Sequence, residues 1–182
     1  MFRRRRTPDD PIAREVNPAR APRRLAGLVA DSLDARARYQ SLVDGLREGA
    51  VRDRLEATGA QLDAGVLALW QTVLRVGELE RILATLGPER VTDEYKRAKR
   101  SDVDPDVLAA HEARFGSVQR LLNAVDDAEE RLRLLDVRLD GIVARGAEVA
   151  PGSGTGLDEL DAELALVVSD LGALRAGLDE LN

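Results

Sequence analysis

One histidine, no cysteine and a few clusters of carboxylates and arginines are all the reactive material in this 182-residue sequence. His111 is followed by Glu112, but a helical zinc site of the His-Glu-x-x-His type needs a second histidine at 115, where Phe115 stands. Without cysteine there is no disulfide, Cys-based zinc site, iron–sulfur cluster or thiol catalysis. A Ser/His/Asp arrangement cannot be argued from a single histidine on a helical seam. Asp126, Asp127, Glu129 and Glu130 crowd together, yet di-metal carboxylate bundles use Glu-x-x-His pairs on facing helices, and these are absent. With Arg131 and Arg133 adjacent, the cluster reads as a solvated helix face. Residues 152–156 carry the glycines of a phosphate loop, but they lack its lysine and lead into Asp158 and Glu159, which repel phosphate. The expectation is a non-enzymatic protein with no metal and no cofactor.

Arginine supplies the remaining chemistry. Arg3, Arg4, Arg5 and Arg6 follow Phe2, and this run suits the phosphates of anionic lipid headgroups or of nucleic acid. Residues 1–24 hold eight arginines against Asp9, Asp10 and Glu15, whereas the whole chain carries a formal net charge of −6. A basic arm is therefore joined to an acidic body. An acidic body, few aromatics and no basic helical stripe weigh against nucleic acid, which stays the alternative reading. An anionic membrane surface, or the acidic body of a neighbouring subunit, suits the arm better, and an arm with no specific role is the reading that stands beside them. Only Lys96 and Lys99 are lysines, a bias that fits a GC-rich genome.

These residues must be positioned by helices. The apolar content is mostly Leu, Ala and Val, aromatics make up 3%, and leucines recur at alternating steps of three and four. Pro8, Pro11 and Pro18 predict an irregular, flexible arm over residues 1–21. A first helix starts near Pro22 with a seam of Leu25, Leu28, Ser32, Ala35, Tyr39, Leu42 and Leu46. The phase then breaks, and a turn is expected at 45–49, a continuous helix with a shifted seam being the alternative. A second seam runs from Val51 through Leu55, Thr58, Leu62, Gly65, Leu69, Thr72, Val76, Leu79 and Leu83 to Leu86, ending at Gly87–Pro88. A short helix capped by Thr92 follows. Asp104 and Pro105 open a third long helix, with the seam Val107, His111, Arg114, Val118, Leu121, Val125, Ala128, Leu132, Leu135, Leu139 and Ile142. Its widened stripe, through Leu108, Phe115 and Leu122, predicts more than one helical neighbour.

Residues 147–156 read as a Gly/Ser linker. Residues 157–182 form a last amphipathic helix whose seam is Leu157, Leu160, Leu164, Val167, Leu171, Leu174, Leu178 and Leu181. Such a seam packs either on its own chain or on another. The fold expected is all-α: an elongated helical bundle over residues 22–146 with a long antiparallel coiled-coil hairpin. No apolar run approaches the ~18 residues of a membrane span, and no secretory signal follows the arginines. The function expected is a cytoplasmic scaffold or adaptor, with attachment to the periphery of a membrane through the arginine arm as an option, working as a homo-oligomer (a dimer as first guess) with a protein partner.

Overall fold

The arrangement of elements follows from which side chains have to leave water together. A computed structural model describes residues 10–150 and 156–181, which form helices and connecting turns. They are α1 (Pro11–Glu15), a 3₁₀ turn (Pro18–Arg20), α2 (Ala26–Asp44), α3 (Ala50–Leu86), α4 (Pro88–Arg100), α5 (Pro105–Val149) and α6 (Leu157–Asp179). The class is all-α, as the leucine spacing predicts.

Local signals set most boundaries. Gly87 adopts φ 64°, the left-handed conformation open to glycine, and ends α3 by returning its N–H to the Leu83 carbonyl. Pro88 then starts α4 as a first-turn proline. Asp104 caps α5 by accepting from the Asp106 N–H at 2.8 Å. Thr92 is no cap, because α4 begins four residues earlier. Its hydroxyl bonds back to the Pro88 carbonyl at 2.8 Å instead.

Cross-helix contacts give the directions. Gly65 of α3 faces Leu139 of α5, Glu80 and Glu129 share Arg24, and Glu94 of α4 meets Arg114 of α5 at 2.9 Å. Rising numbers on α3 and α4 meet falling numbers on α5, so α3 and α4 in succession run antiparallel to it. On α2, Arg36 and Tyr39 meet Asp63 and Leu55, so α2 runs antiparallel to α3. On α6, Asp158 and Asp179 meet Arg54 and Arg75, so α6 runs parallel to α3. The ion pairs Arg138–Asp170, at 3.0 Å, and Arg145–Glu163 tie α6 to α5 in the opposite sense. Thus α2, α3, α5 and α6 form a four-helix bundle, and α3 and α5 each pack against the other three.

This bundle is shorter than its longest helix. At about 1.5 Å per residue, the 45 residues of α5 span on the order of 67 Å. The contacts that tie α5 to α2 and α6 run from Arg138 onward, and the buried seam of α5 begins at Val118. The first turns of α5 have α4 alone beside them, so a two-helix hairpin projects from the end of the bundle.

Residues 10–21 depart from the flexible arm expected. The Asp10 carboxylate caps α1, accepting from the N–H groups of Ile12 at 3.1 Å and Ala13 at 3.4 Å. Ile12 and Val16 are buried in the common core. The prolines break long helices but do not prevent a one-turn helix that starts on Pro11, and two apolar anchors hold it. Helix α6, set apart in the sequence by its linker, joins the same apolar cluster as the other helices.

Candidate functional site

The buried guanidinium of Arg36 is the most unusual polar feature in the bundle. Its Nε donates to Asp63 Oδ1 at 2.6 Å, Nη2 reaches Asp63 Oδ2 at 3.4 Å, and Nη1 pairs with Asp10. The two-pronged grip on Asp63 fixes the planar group against α3. Desolvation, the largest influence on Arg36, disfavours its charge, but the bonds from Asp63 and Asp10 outweigh it and raise its pKa. In return, the hydrogen bond from Arg36 holds the Asp10 carboxyl below the usual carboxylate range. With one carboxylate oxygen on Arg36 and the other capping α1, Asp10 pins the N-terminal segment to α2. A groove of about 590 Å³ opens beside this triad, between α2 and α3.

Tyr39 lies one turn further along α2 and is completely buried. Its hydroxyl donates to the Leu55 carbonyl at 3.1 Å, and burial pushes the phenol up to about 12. The ring is sandwiched between glycines. A Cβ on Gly59 would stand 3.4 Å from it, and a Cβ on Gly146 only 2.9 Å.

A second groove, of about 580 Å³, runs between α2 and α5 and is lined by Asp31, Asp34, Arg38 and Asp140. Asp136 sits close by, and burial first, then the charges of Asp31 and Asp140, pushes its carboxyl up to about 6. A folded-state pKa above the unfolded value means that this group favours the fold at low pH. That contribution disappears as pH rises from about 4 through about 6. Asp136→Asn should therefore stabilise the protein at pH 7.5, by about 1–2 kcal/mol after allowing for solvent screening, and do little at pH 4. Thermal melts of both proteins at the two pH values check this; an equal effect at both would contradict the assignment.

The projecting hairpin is held together by a thin seam. Tyr95 of α4 stacks on Phe115 of α5 with ring centroids 4.8 Å apart, and the Lys99 ammonium stands 5.8 Å from the Tyr95 centroid. Val91, Ala98 and Val118 are buried, while Val103, Leu108, Tyr95 and Phe115 are half-buried and Val107 is 46% exposed. Two helices side by side leave a flank of their apolar residues in water.

The other residues singled out by type fall as follows. Phe2, Arg3, Arg4, Arg5 and Arg6 lie outside the described residues, as do residues 151–155 of the linker. The α6 seam, from Leu157 through Leu160, Leu164, Val167, Leu171 and Leu174 to Leu178, is buried against α3 and α5 of its own chain, and Leu181 alone is exposed. As an association seam toward another molecule it is therefore already occupied, by neighbours in the same chain. His111 and Arg114 form no buried polar layer: His111 is half-buried, and Arg114 is exposed and paired with Glu94. Within the acidic cluster, Glu129 departs from the solvated reading, for it is buried and gripped by Arg24 and by Arg133 at 3.4 Å. Among the described residues, no group of three or more His, Asp or Glu side chains is placed to hold a metal, and no helix is long and apolar enough to cross a membrane. Arg36 was not legible as a site residue. The available signal is its place in a second stripe of α2, with Val29, Ser32, Tyr39 and Val43, where an apolar residue is the default. No family model, curated protein or solved structure matches this chain.

Proposed function

We propose that this chain is a non-enzymatic, cytoplasmic scaffold or adaptor that self-associates through the apolar flank of its α4–α5 hairpin. What supports the reading is the contrast between the two ends of the molecule. In the bundle each long helix has several neighbours and its seam is buried. In the hairpin each helix has one neighbour, and Val107, Leu108, Tyr95 and Phe115 keep part of their surface in water. Two copies related by a two-fold axis would bring four helices together and repeat at the tips the packing of the bundle. A scaffold built this way holds two bundles apart at the ends of a rigid bar.

The test is solution mass by light scattering across a range of protein concentrations. The expected result is a species of twice the 19.8 kDa chain that reverts to one chain in Val107→Asp. This variant should fold normally, because position 107 is exposed and an added carboxylate in the first turn of α5 complements the helix dipole. A 19.8 kDa species at every concentration would overturn the proposal.

A further inference from the structure

We infer that the basic segment Phe2, Arg3, Arg4, Arg5 and Arg6 docks on its own chain, in the groove between α2 and α3. Three observations lead there. First, the described chain begins at the groove itself, for Asp10 is one of its lining residues and is fixed by Arg36 and by the cap of α1. Residues 2–6 are four to eight positions from that anchor, a reach of roughly 13–29 Å for extended chain. From Arg36 to Asp44 the groove follows α2 for about 12 Å at 1.5 Å per residue, so its whole length is accessible to the segment.

Second, the charges are complementary. Asp10, Asp44, Glu56 and Asp63 line the groove against the single guanidinium of Arg36. Asp10 and Asp63 are engaged by Arg36, and Glu56 pairs with Arg52 at 2.8 Å. Asp44 is exposed and makes no ion pair among the described residues. The rim thus keeps a surplus of negative charge, and the segment brings four positive charges and no negative one.

Third, part of the lining is apolar: Val43, Leu55 and Ala60 are among the lining residues. Arginine stems cover such a surface while their heads stay at the carboxylates, and the Phe2 ring has somewhere to leave water. Tethering supplies an effective concentration on the order of millimolar, so weak contacts suffice. The contact is largely electrostatic between surface groups, and salt should release it. Docked, the segment hides its arginines from any external polyanion; released, it exposes them. The inference does not rest on the self-association proposed above.

Amide NMR spectra of the full chain and of a chain lacking residues 2–6 provide the test. Val107→Asp in every sample removes any contribution from the hairpin. At about 0.02 M salt the Debye length is on the order of 20 Å, and at about 0.5 M only about 4 Å. The two spectra should differ at low salt in residues 40–44 and 55–63, and coincide at high salt. The double change Asp44→Asn and Glu56→Gln in the full chain should abolish the low-salt response of these amides to removal of residues 2–6. Coincident spectra at low salt would overturn the inference, as would differences centred on another surface. Differences that grow with protein concentration would also overturn it, because they would place the segment on a second copy.

Discussion

Leu171→Asp should detach α6 from the bundle and lower stability by about 4–5 kcal/mol or more, a large part of what a domain of this size possesses. Leu171 is completely buried in the seam that α6 presents to α3 and α5. Truncating such a leucine typically costs about 2–5 kcal/mol, and a carboxylate in its place adds the penalty of an unpaired buried charge. The ion pairs along α6 cannot compensate. Arg138–Asp170 and Arg54–Asp158 are exposed on both partners, and such pairs contribute about 0–1 kcal/mol each. Urea unfolding followed by circular dichroism measures the loss. Leu166→Asp is the control: Leu166 is 62% exposed on the outer face of the same helix, and its change should stay within about 0.5 kcal/mol. Equal effects of the two substitutions would mean that the seam does not face the bundle.

The second large effect is expected where Tyr39 crosses the glycines. Tyr39→Ala should cost about 3–5 kcal/mol, as for other buried aromatics. Gly146→Ala is the sharper experiment, because two forces oppose each other there. Alanine is the better helix former by about 1 kcal/mol. Its Cβ, however, would stand 2.9 Å from the Tyr39 ring, and overpacking typically costs about 1–3 kcal/mol. We expect the clash to win and Gly146→Ala to destabilise, while Gly141→Ala, with open space around it, should be neutral or stabilising. In a Tyr39→Leu background the cost at Gly146 should shrink or reverse, a coupling that a double-mutant cycle measures. An unchanged cost in that background would show that the ring is not what Gly146 accommodates.

The sequence made the helices legible because each long seam keeps one phase. On α3, Leu55, Thr58, Leu62, Gly65, Leu69, Thr72, Val76, Leu79 and Leu83 are all buried, as a three–four alternation requires. The break at 45–49, the stop at Gly87 and the Asp104–Pro105 start were visible because turns and caps are written in residue type. What one seam cannot show is a second contact face. Val66, Trp70 and Val73 bury the flank of α3 as well, because a helix at the centre of a bundle meets neighbours on more than one side.

Glycines 59, 65 and 77 each lie under a neighbour: Tyr39, the α5 and α6 side chains Leu139 and Val168, and Pro22. Close approach between helices is a relation between distant positions, and no local pattern records it. Arg36 escaped for the same reason, since its partners Asp10 and Asp63 are each about 27 positions away. In the third seam Val118 and every apolar residue from Val125 onward are buried, Leu121 is half-buried, and Val107, His111 and Arg114 are not buried. The period is continuous in the sequence, while the neighbours that would cover it end where the bundle ends.

The claim on which the account turns is that α6 closes the bundle of its own chain and leaves the hairpin as the free surface. The absence of cysteine makes it directly testable, since Gln71→Cys and Arg175→Cys would introduce the only thiols. Those two side chains touch across α3 and α6. A short bis-maleimide applied to the doubly substituted chain should give one cross-linked species at the mass of a single chain, at every protein concentration. A mixture of the two singly substituted chains should give no cross-linked dimer. Covalent dimers from that mixture, with little cross-linking inside the doubly substituted chain, would show that α6 packs on a partner and would contradict the account.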